Sequence, residues 1–314
     1  MIQQNRRNFI KNTAVLTGSA LLVTDHIILP QAIAQTVHPT RQAEVFINQY
    51  TVDTFYAREG INFKENLDRC FAELKEAGLA GFEASINQPE ELDKYFDALE
   101  KQNLQLRSIY TSGNLHDEAV DELEIKRLIA VAARAKSAGT KVVVHNPQPK
   151  SGKSDAELDR QNQNFNILGA ELRKLGMKLA LHYHTSELEF AAREFHSFMC
   201  DTDTENVSLC FDAHWSFRAS NNSAVSAYSH AKLYADRIVE LHLRQSQSSV
   251  WTEAFLTKAD IDYEKIFVIL RQTKDFGNCH VVLEQAPESG TPKTLKPIDI
   301  FKQSVVTVKK LYGS

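Results

Sequence analysis

The apolar and polar positions of this chain alternate between two periods. Short runs rich in Val, Ile, Leu and Phe, of the kind that fill strands, are each followed by a longer run with apolar residues three and four apart, one face of a helix. The order begins with VFINQYT and then FKENLDRCFAELKEAGL, where Leu67, Phe71 and Leu74 mark a face and Gly78 a stop. GFEAS leads to PEELDKYFDALEKQN, with Pro89 near its start. LQLRSIYTS leads to EIKRLIAVAARAKSAG, and TKVVVHNP to DAELDRQNQNFNILGAELRKLG. MKLALHYH precedes a shorter helix near AAREFHSFMC, and VSLCFDAHW precedes VSAYSHAKLYAD. IVELHLRQ is followed by a long loop and YEKIFVILRQT; CHVVLEQ is followed by IDIFKQSVVTVKKLY.

Eight strand–helix units whose strands suit a sheet buried on both faces define an α/β fold. No Gly-rich dinucleotide fingerprint follows the first strand, so a closed (β/α)8 TIM barrel accounts for the repeat more economically than an open sheet. No low-complexity linker separates the units, which predicts one domain; the Lys-Ser-Gly-Lys at 150–153 reads as a loop between a strand and its helix.

The first residues break the pattern. Arg6 and Arg7 precede Phe9 and Lys11, a weakly apolar run follows, and Ala32-Ile33-Ala34 supplies a small-x-small site. This arrangement predicts a twin-arginine signal peptide over residues 1–34, cleaved after Ala34, and a barrel domain over 35–314. The expected partner is the twin-arginine export machinery and the expected location the periplasm. The opposing reading is a membrane helix, but the stretch bounded by Lys11, Asp25 and His26 is short for a span. No Cys stands beside the cleavage site, so no stable membrane anchor is expected.

Composition narrows the partner. With 314 residues, 24% charged, a formal net charge of −4 and no basic cluster beyond the first residues, the chain lacks the electrostatic footprint of a nucleic-acid binder. A small molecule is expected instead. Cys70, Cys200, Cys210 and Cys279 have no CxxC spacing, which excludes a zinc ribbon and leaves them as small core residues.

In a barrel of this type the functional side chains sit at the C-terminal ends of the strands. Polar residues concentrate there: Glu83 on the second strand, Tyr110 and Ser112 on the third, His145 and Asn146 on the fourth, His182 and His184 on the fifth. Asp212 and His214 follow on the sixth, His242 and Arg244 on the seventh, Glu284 and Gln285 on the eighth. In LALHYHTSELEF the two histidines are two residues apart and so share one side of a strand. Strands five to eight thus offer His182, Asp212, His242 and Glu284, a donor set suited to one divalent ion such as Mn, Co, Zn or Fe. The bland alternatives are that Asp212 caps the next helix and that His242 or His182 is a core histidine. Glu284, after Val281, Val282 and Leu283, needs a charged partner in either case. An exchange of roles between His182 and His184 also stays open.

The stretches GFEAS, LALHYHTSELEF, FDAHW, RIVELHLRQ and VVLEQ, in this order from Val45 to Leu311, resemble the xylose-isomerase-like TIM barrels of the sugar phosphate isomerase/epimerase superfamily. The resemblance implies Glu, Asp, His and Glu on strands five to eight around one divalent metal, which fall on His182, Asp212, His242 and Glu284. His182 departs from the epimerases, whose two metal-bound glutamates exchange protons on opposite faces of a carbon. HYHTSELEF is similar to an exported branch that processes sugars and oxidised glycosides, and Glu187 matches that branch's carboxylate. The expected enzyme is a metal-dependent sugar isomerase or epimerase acting on an unphosphorylated sugar or keto-sugar. A keto-glycoside lyase or dehydratase with the same metal, or a catalytically silent sugar-binding barrel, is the alternative. Base candidates are His184, Glu187 and His145; Glu83, Tyr110, Trp215 and Arg244 are expected to bind substrate, and Trp251 could stack on a sugar.

Overall fold

A computed structural model describes residues 43–313, so the signal peptide expected over 1–34 lies outside the described residues. The strands are β1 Val45–Asn48, β2 Gly81–Ser85, β3 Ser108–Gly113, β4 Val142–Pro147, β5 Lys178–Leu181, β6 Val207–Asp212, β7 Ile238–Leu243, β8 Ser246–Gln247, β9 Val250–Trp251 and β10 His280–Leu283. β8 and β9 form a two-stranded antiparallel hairpin in the long loop after β7. The other eight pair in the order β1-β10-β7-β6-β5-β4-β3-β2 and close, all neighbours parallel, into a (β/α)8 TIM barrel.

The helices are α1 Gln49–Arg58, α2 Leu67–Glu76, α3 Asp93–Lys101, α4 Asp121–Lys136, α5 Asp155–Lys174, α6 Glu189–Cys200, α7 Ala213–Ala219, α8 Ala224–Tyr234, α9 Tyr263–Leu270 and α10 Pro297–Gly313. Each of the predicted helical runs forms. α5 starts on a capping box in which the Ser154 and Glu157 side chains each accept from the other's backbone N–H. Two helices depart from the reading of the sequence. Gln49, Tyr50 and Thr51 belong to α1 rather than to the first strand, because Asn48 ends the strand and caps the helix by accepting from the Tyr50 N–H at 2.7 Å. α7 begins directly after Asp212 where an extended tail was expected.

Period-two alternation gives the barrel two unlike faces. Outward residues such as Ile47, Phe82, Ile109, Val143, Leu181, Phe211, Leu243 and Leu283 join the helices in one apolar layer. Inward, among the described residues, Val142, Val144, Ala180 and Cys210 form a small apolar cluster with Tyr110 and Val239 against it. The lumen also holds buried Glu83, Ser108, His182, Asp212, Glu240, His242 and His280, beside apolar Phe46 and Val282. Gly81 has no side chain for a steric reason, since a Cβ there would stand 2.1 Å from the Gln105 carbonyl. All four cysteines are free; Cys70 and Cys210 are buried as expected, whereas Cys200 is exposed. Among the described residues no helix is long and apolar enough to cross a membrane.

Candidate active site

The tilt of the strands brings the C-terminal ends of β5, β6, β7 and β10 into one group. The ligand atoms of His182, His242 and Glu284 lie within 4.8 Å of one another, all buried. His182 Nε2 is 3.9 Å from Asp212 Oδ2 and 3.9 Å from Glu284 Oε2, and His242 Nδ1 is 3.1 Å from Glu284 Oε2. Such separations suit ligands at about 2.0–2.2 Å from a common ion.

Hydrogen bonding shows which atoms remain for a cation. His182 Nδ1 faces the Asn146 amide oxygen at 3.3 Å and the Tyr110 hydroxyl at 3.2 Å, so the ring gives its proton on that side. Its Nε2, buried and without a partner, then presents a lone pair to Asp212 and Glu284. Asp212 divides its two oxygens: Oδ1 accepts from the backbone N–H groups of His214 (2.7 Å) and Trp215 (3.2 Å) and so caps α7, while Oδ2 is buried and unpartnered. The helix-cap reading and the ligand reading of Asp212 are therefore compatible. Electron-rich atoms facing one another in a buried lumen need a positive charge between them. This donor set fits a divalent ion.

The electrostatics agree. Burial alone would raise the Glu284 carboxyl, but Arg244 and His242 hold it well below the usual carboxylate range. Burial also disfavours charge on His242, yet Cys210, Glu83 and Glu284 outweigh it and raise its pKa. In the chain by itself a proton on Nδ1 thus fills the gap to Glu284.

Around this group stand the residues of the barrel mouth. The His184 ring lies 4.8 Å from that of His182 and 4.8 Å from that of Trp215, half-buried; burial, then His182, lowers its pKa to about 3. Arg244 is fixed by Glu284 through Nε to the backbone oxygen (2.9 Å) and Nη2 to Oε1 (3.1 Å), leaving Nη1 unpartnered. Its guanidinium lies 4.3 Å from the Trp251 ring centre and 5.2 Å from that of Trp215. Gln285 holds the hairpin that carries Trp251 by accepting from the Gln245 N–H and donating to the Thr252 carbonyl. Seven of the thirteen buried polar side-chain atoms without partners among the described residues lie here, on His182, Asp212, His214, Trp215, Arg218, Arg244 and Trp251. Native interiors leave few such atoms, so their concentration marks this rim as the place where water or a polar ligand is called for.

Three expected site residues are not brought to the mouth. His145 faces outward, its Nδ1 3.2 Å from Thr111 Oγ1 and its ring edge-on to Phe165 of α5; burial, then Arg127 and Lys153, lowers its pKa to about 3. Glu187 uses both oxygens locally, on the His184 N–H (2.7 Å) and the Ser186 hydroxyl (2.6 Å), and so shapes the turn that presents His184. Glu83 lies below His242, engaged by Asn48 (2.5 Å), Ser108 (2.9 Å) and His242 (3.2 Å), fully buried. Tyr110 is brought in, but against the His182 and His242 rings. Conversely, Asn146 on His182 and Glu240 beneath His242 had no assigned role. Glu240, His242 and Arg244 at alternate positions of IVELHLRQ were the signal for Glu240.

A family model described as xylose isomerase-like TIM barrel matches residues 71–305, and the chain belongs to this family. The inosose dehydratase of Clostridium botulinum (strain Alaska E43 / Type E3) is 27% identical over 262 residues, covering 73% of this chain and 86% of that protein. Among solved structures, a sugar phosphate isomerase/epimerase from Parabacteroides distasonis has a TM-score of 0.68 at 14% identity, over 86% of this chain and 94% of that one. A xylose isomerase-like TIM barrel protein from Mycobacterium smegmatis, in complex with magnesium, has a TM-score of 0.65 at 12% identity, over 88% and 98%. The chain is an enzyme of this family, with a centre able to hold a divalent metal.

Proposed function

We propose that this protein is a divalent-metal-dependent lyase that dehydrates an unphosphorylated keto-sugar or keto-cyclitol, with His182, Asp212, His242 and Glu284 holding the metal. The single observation that carries the reading is the imidazole at the strand-five position: the Asn146–Tyr110 pair ties its Nδ1, and Nε2 is committed to the cluster. Epimerisation by two ligated glutamates needs a carboxylate there. With one base beside the cluster, removal of a proton next to a carbonyl and loss of a β-hydroxyl is better suited than transfer across two faces of a carbon. The similarity to inosose dehydratases supports that order of preference over the isomerase or epimerase reading.

A divalent ion held here supplies polarisation of a carbonyl and the neighbouring hydroxyl oxygen, which acidifies the C–H they share. The protein's own groups do the rest. His184, neutral because it is buried beside His182, receives the proton as the anion forming on the substrate raises its affinity for it, and then gives it to the departing β-hydroxyl, which leaves as water. Glu187 holds the His184 backbone in place. Arg244 Nη1, a fixed donor with no partner, is aimed to hold a substrate oxygen, and Trp215 and Trp251 wall the ring of the substrate. Export through the sequence RRNFIK, expected from residues 1–34, is part of the same reading; precursor of the Arg6→Lys, Arg7→Lys double variant should stay in the cytoplasm.

The test is incubation of the metal-loaded enzyme with inososes and keto-sugars in D2O. Loss of water to an unsaturated ketone is expected. Deuterium uptake with the substrate mass otherwise retained would place the isomerase or epimerase first.

A further inference from the structure

Below the cluster the lumen carries a second tier of charge that neither fold nor catalysis obviously requires. On the same inward face β4, β5 and β6 present Val142, Val144, Ala180 and Cys210. β2 and β7 instead present Glu83 and Glu240, both fully buried. Burying a carboxylate is costly unless it is paired, so two of them in a barrel interior imply a specific use. Both meet the same atom. His242 Nε2 is 3.1 Å from Glu240 Oε1 and 3.2 Å from Glu83 Oε1, while Nδ1 faces Glu284 on the other side.

The two carboxylates are themselves fixed. Glu240 Oε2 is 2.7 Å from His280 Nδ1 on β10, and Glu83 accepts from Asn48 on β1 and Ser108 on β3. Glu240, with Oε2 on His280 Nδ1, is an acceptor at Oε1 as well, so the His242 atom that it faces carries a proton. When a cation takes the place of the Nδ1 proton, His242 is the Nε2–H tautomer, and its Nδ1 lone pair points to the side where His182 Nε2 and Glu284 Oε2 converge. A histidine that ligates through one nitrogen is commonly oriented by a carboxylate on the other.

We propose that Glu240, seconded by Glu83, is the positioning residue that fixes the His242 tautomer and thereby sets the metal affinity of the centre. This rests on the metal reading above. It gives a role to IVELHLRQ as a unit: Glu240 orients, His242 ligates, and Arg244 secures Glu284, three alternate positions on one face of β7 and its extension.

The experiment uses the mature protein and zinc alone. Chelator competition measures zinc dissociation constants for wild type, Glu240→Leu, Glu240→Gln and Glu83→Gln, each checked for folding by thermal melting. Long-range 15N NMR of the zinc-loaded wild type reports which His242 nitrogen is protonated. The expected results are a proton on Nε2, zinc affinity about 10–100-fold weaker in Glu240→Leu, and a smaller loss in Glu240→Gln, whose amide oxygen still accepts. A folded Glu240→Leu with wild-type affinity, or a proton on Nδ1, overturns the assignment. If Glu240→Leu does not fold, the Gln variant and the wild-type spectrum decide: no loss in the one or the wrong tautomer in the other overturns it. Cys210, Glu240 and His242 also lie within 4.8 Å of one another, so two zinc equivalents in wild type and one in Cys210→Ala would make Glu240 a ligand and overturn it too. Absence of zinc binding by wild type sinks the metal reading itself, a result distinct from the others.

Discussion

His145 lies within β4 and His182 directly follows β5 beside it, and the His182 N–H donates to the His145 carbonyl at 2.9 Å, yet their side chains live in different worlds. His182 points into the lumen, with Nε2 open to two carboxylates. His145 points out between β4 and α5; its Nδ1–H goes to Thr111 Oγ1, whose own proton goes to the Val144 carbonyl at 2.9 Å, and its Nε2 is buried without a partner. Both are fully buried histidines at one rim of a barrel. The side of the strand alone separates a candidate ligand from a residue that only packs.

The sharpest way to break this contrast is at the lumen. Asp212→Asn retains Oδ1 and hence the cap on α7, but replaces the unpartnered Oδ2 by an amide; metal affinity should fall by about 100-fold or more and turnover with it, with the melting temperature of the metal-free protein little changed. Retained affinity by equilibrium dialysis would remove Asp212 from the centre. Next, His182→Gln and His145→Gln should part company. The first loses metal affinity by at least about 10-fold, while the second keeps its metal stoichiometry and affinity. Equal loss in both would mean that the two faces are not functionally distinct.

A smaller effect belongs to the outer face. His145→Ala removes a buried ring packed on Phe165 and one hydrogen bond, and should cost about 2–4 kcal/mol in urea unfolding with metal content unchanged. The smallest is a pH dependence. The folded pKa of His145 is depressed to about 3 from an ordinary value of 6.5, so the unfolded state takes up a proton that the folded state refuses. Its neutral form stabilises the fold above pH 6.5, and that contribution is lost as pH falls from 6.5 toward 3. In metal-free protein, His145→Gln should flatten the acid limb between pH 6 and 4 by up to about 1.4 kcal/mol per pH unit. An acid limb unchanged by the substitution would mean that His145 titrates normally.

Much of this molecule was legible before it folded. The alternation of strand and helix periods is a local property, fixed by side-chain spacing, and it placed eight βα units, the barrel and the rim that carries His182, His184, Asp212, His242, Arg244 and Glu284. What alternation cannot supply is its sign. A barrel strand such as VVVHNP is apolar on both faces, so nothing within it says whether Val144 and Asn146 or Val143 and His145 look inward. That was decided by closure of the sheet, and it sent His145 outward. Closure also decided depth: Glu83 on β2 comes to lie under a histidine 159 residues later in the chain. Whether a carboxylate meets substrate or supports a ligand depends on that three-dimensional distance, because hydrogen bonds and charge interactions in a buried lumen act over a few ångströms, whatever the separation along the sequence.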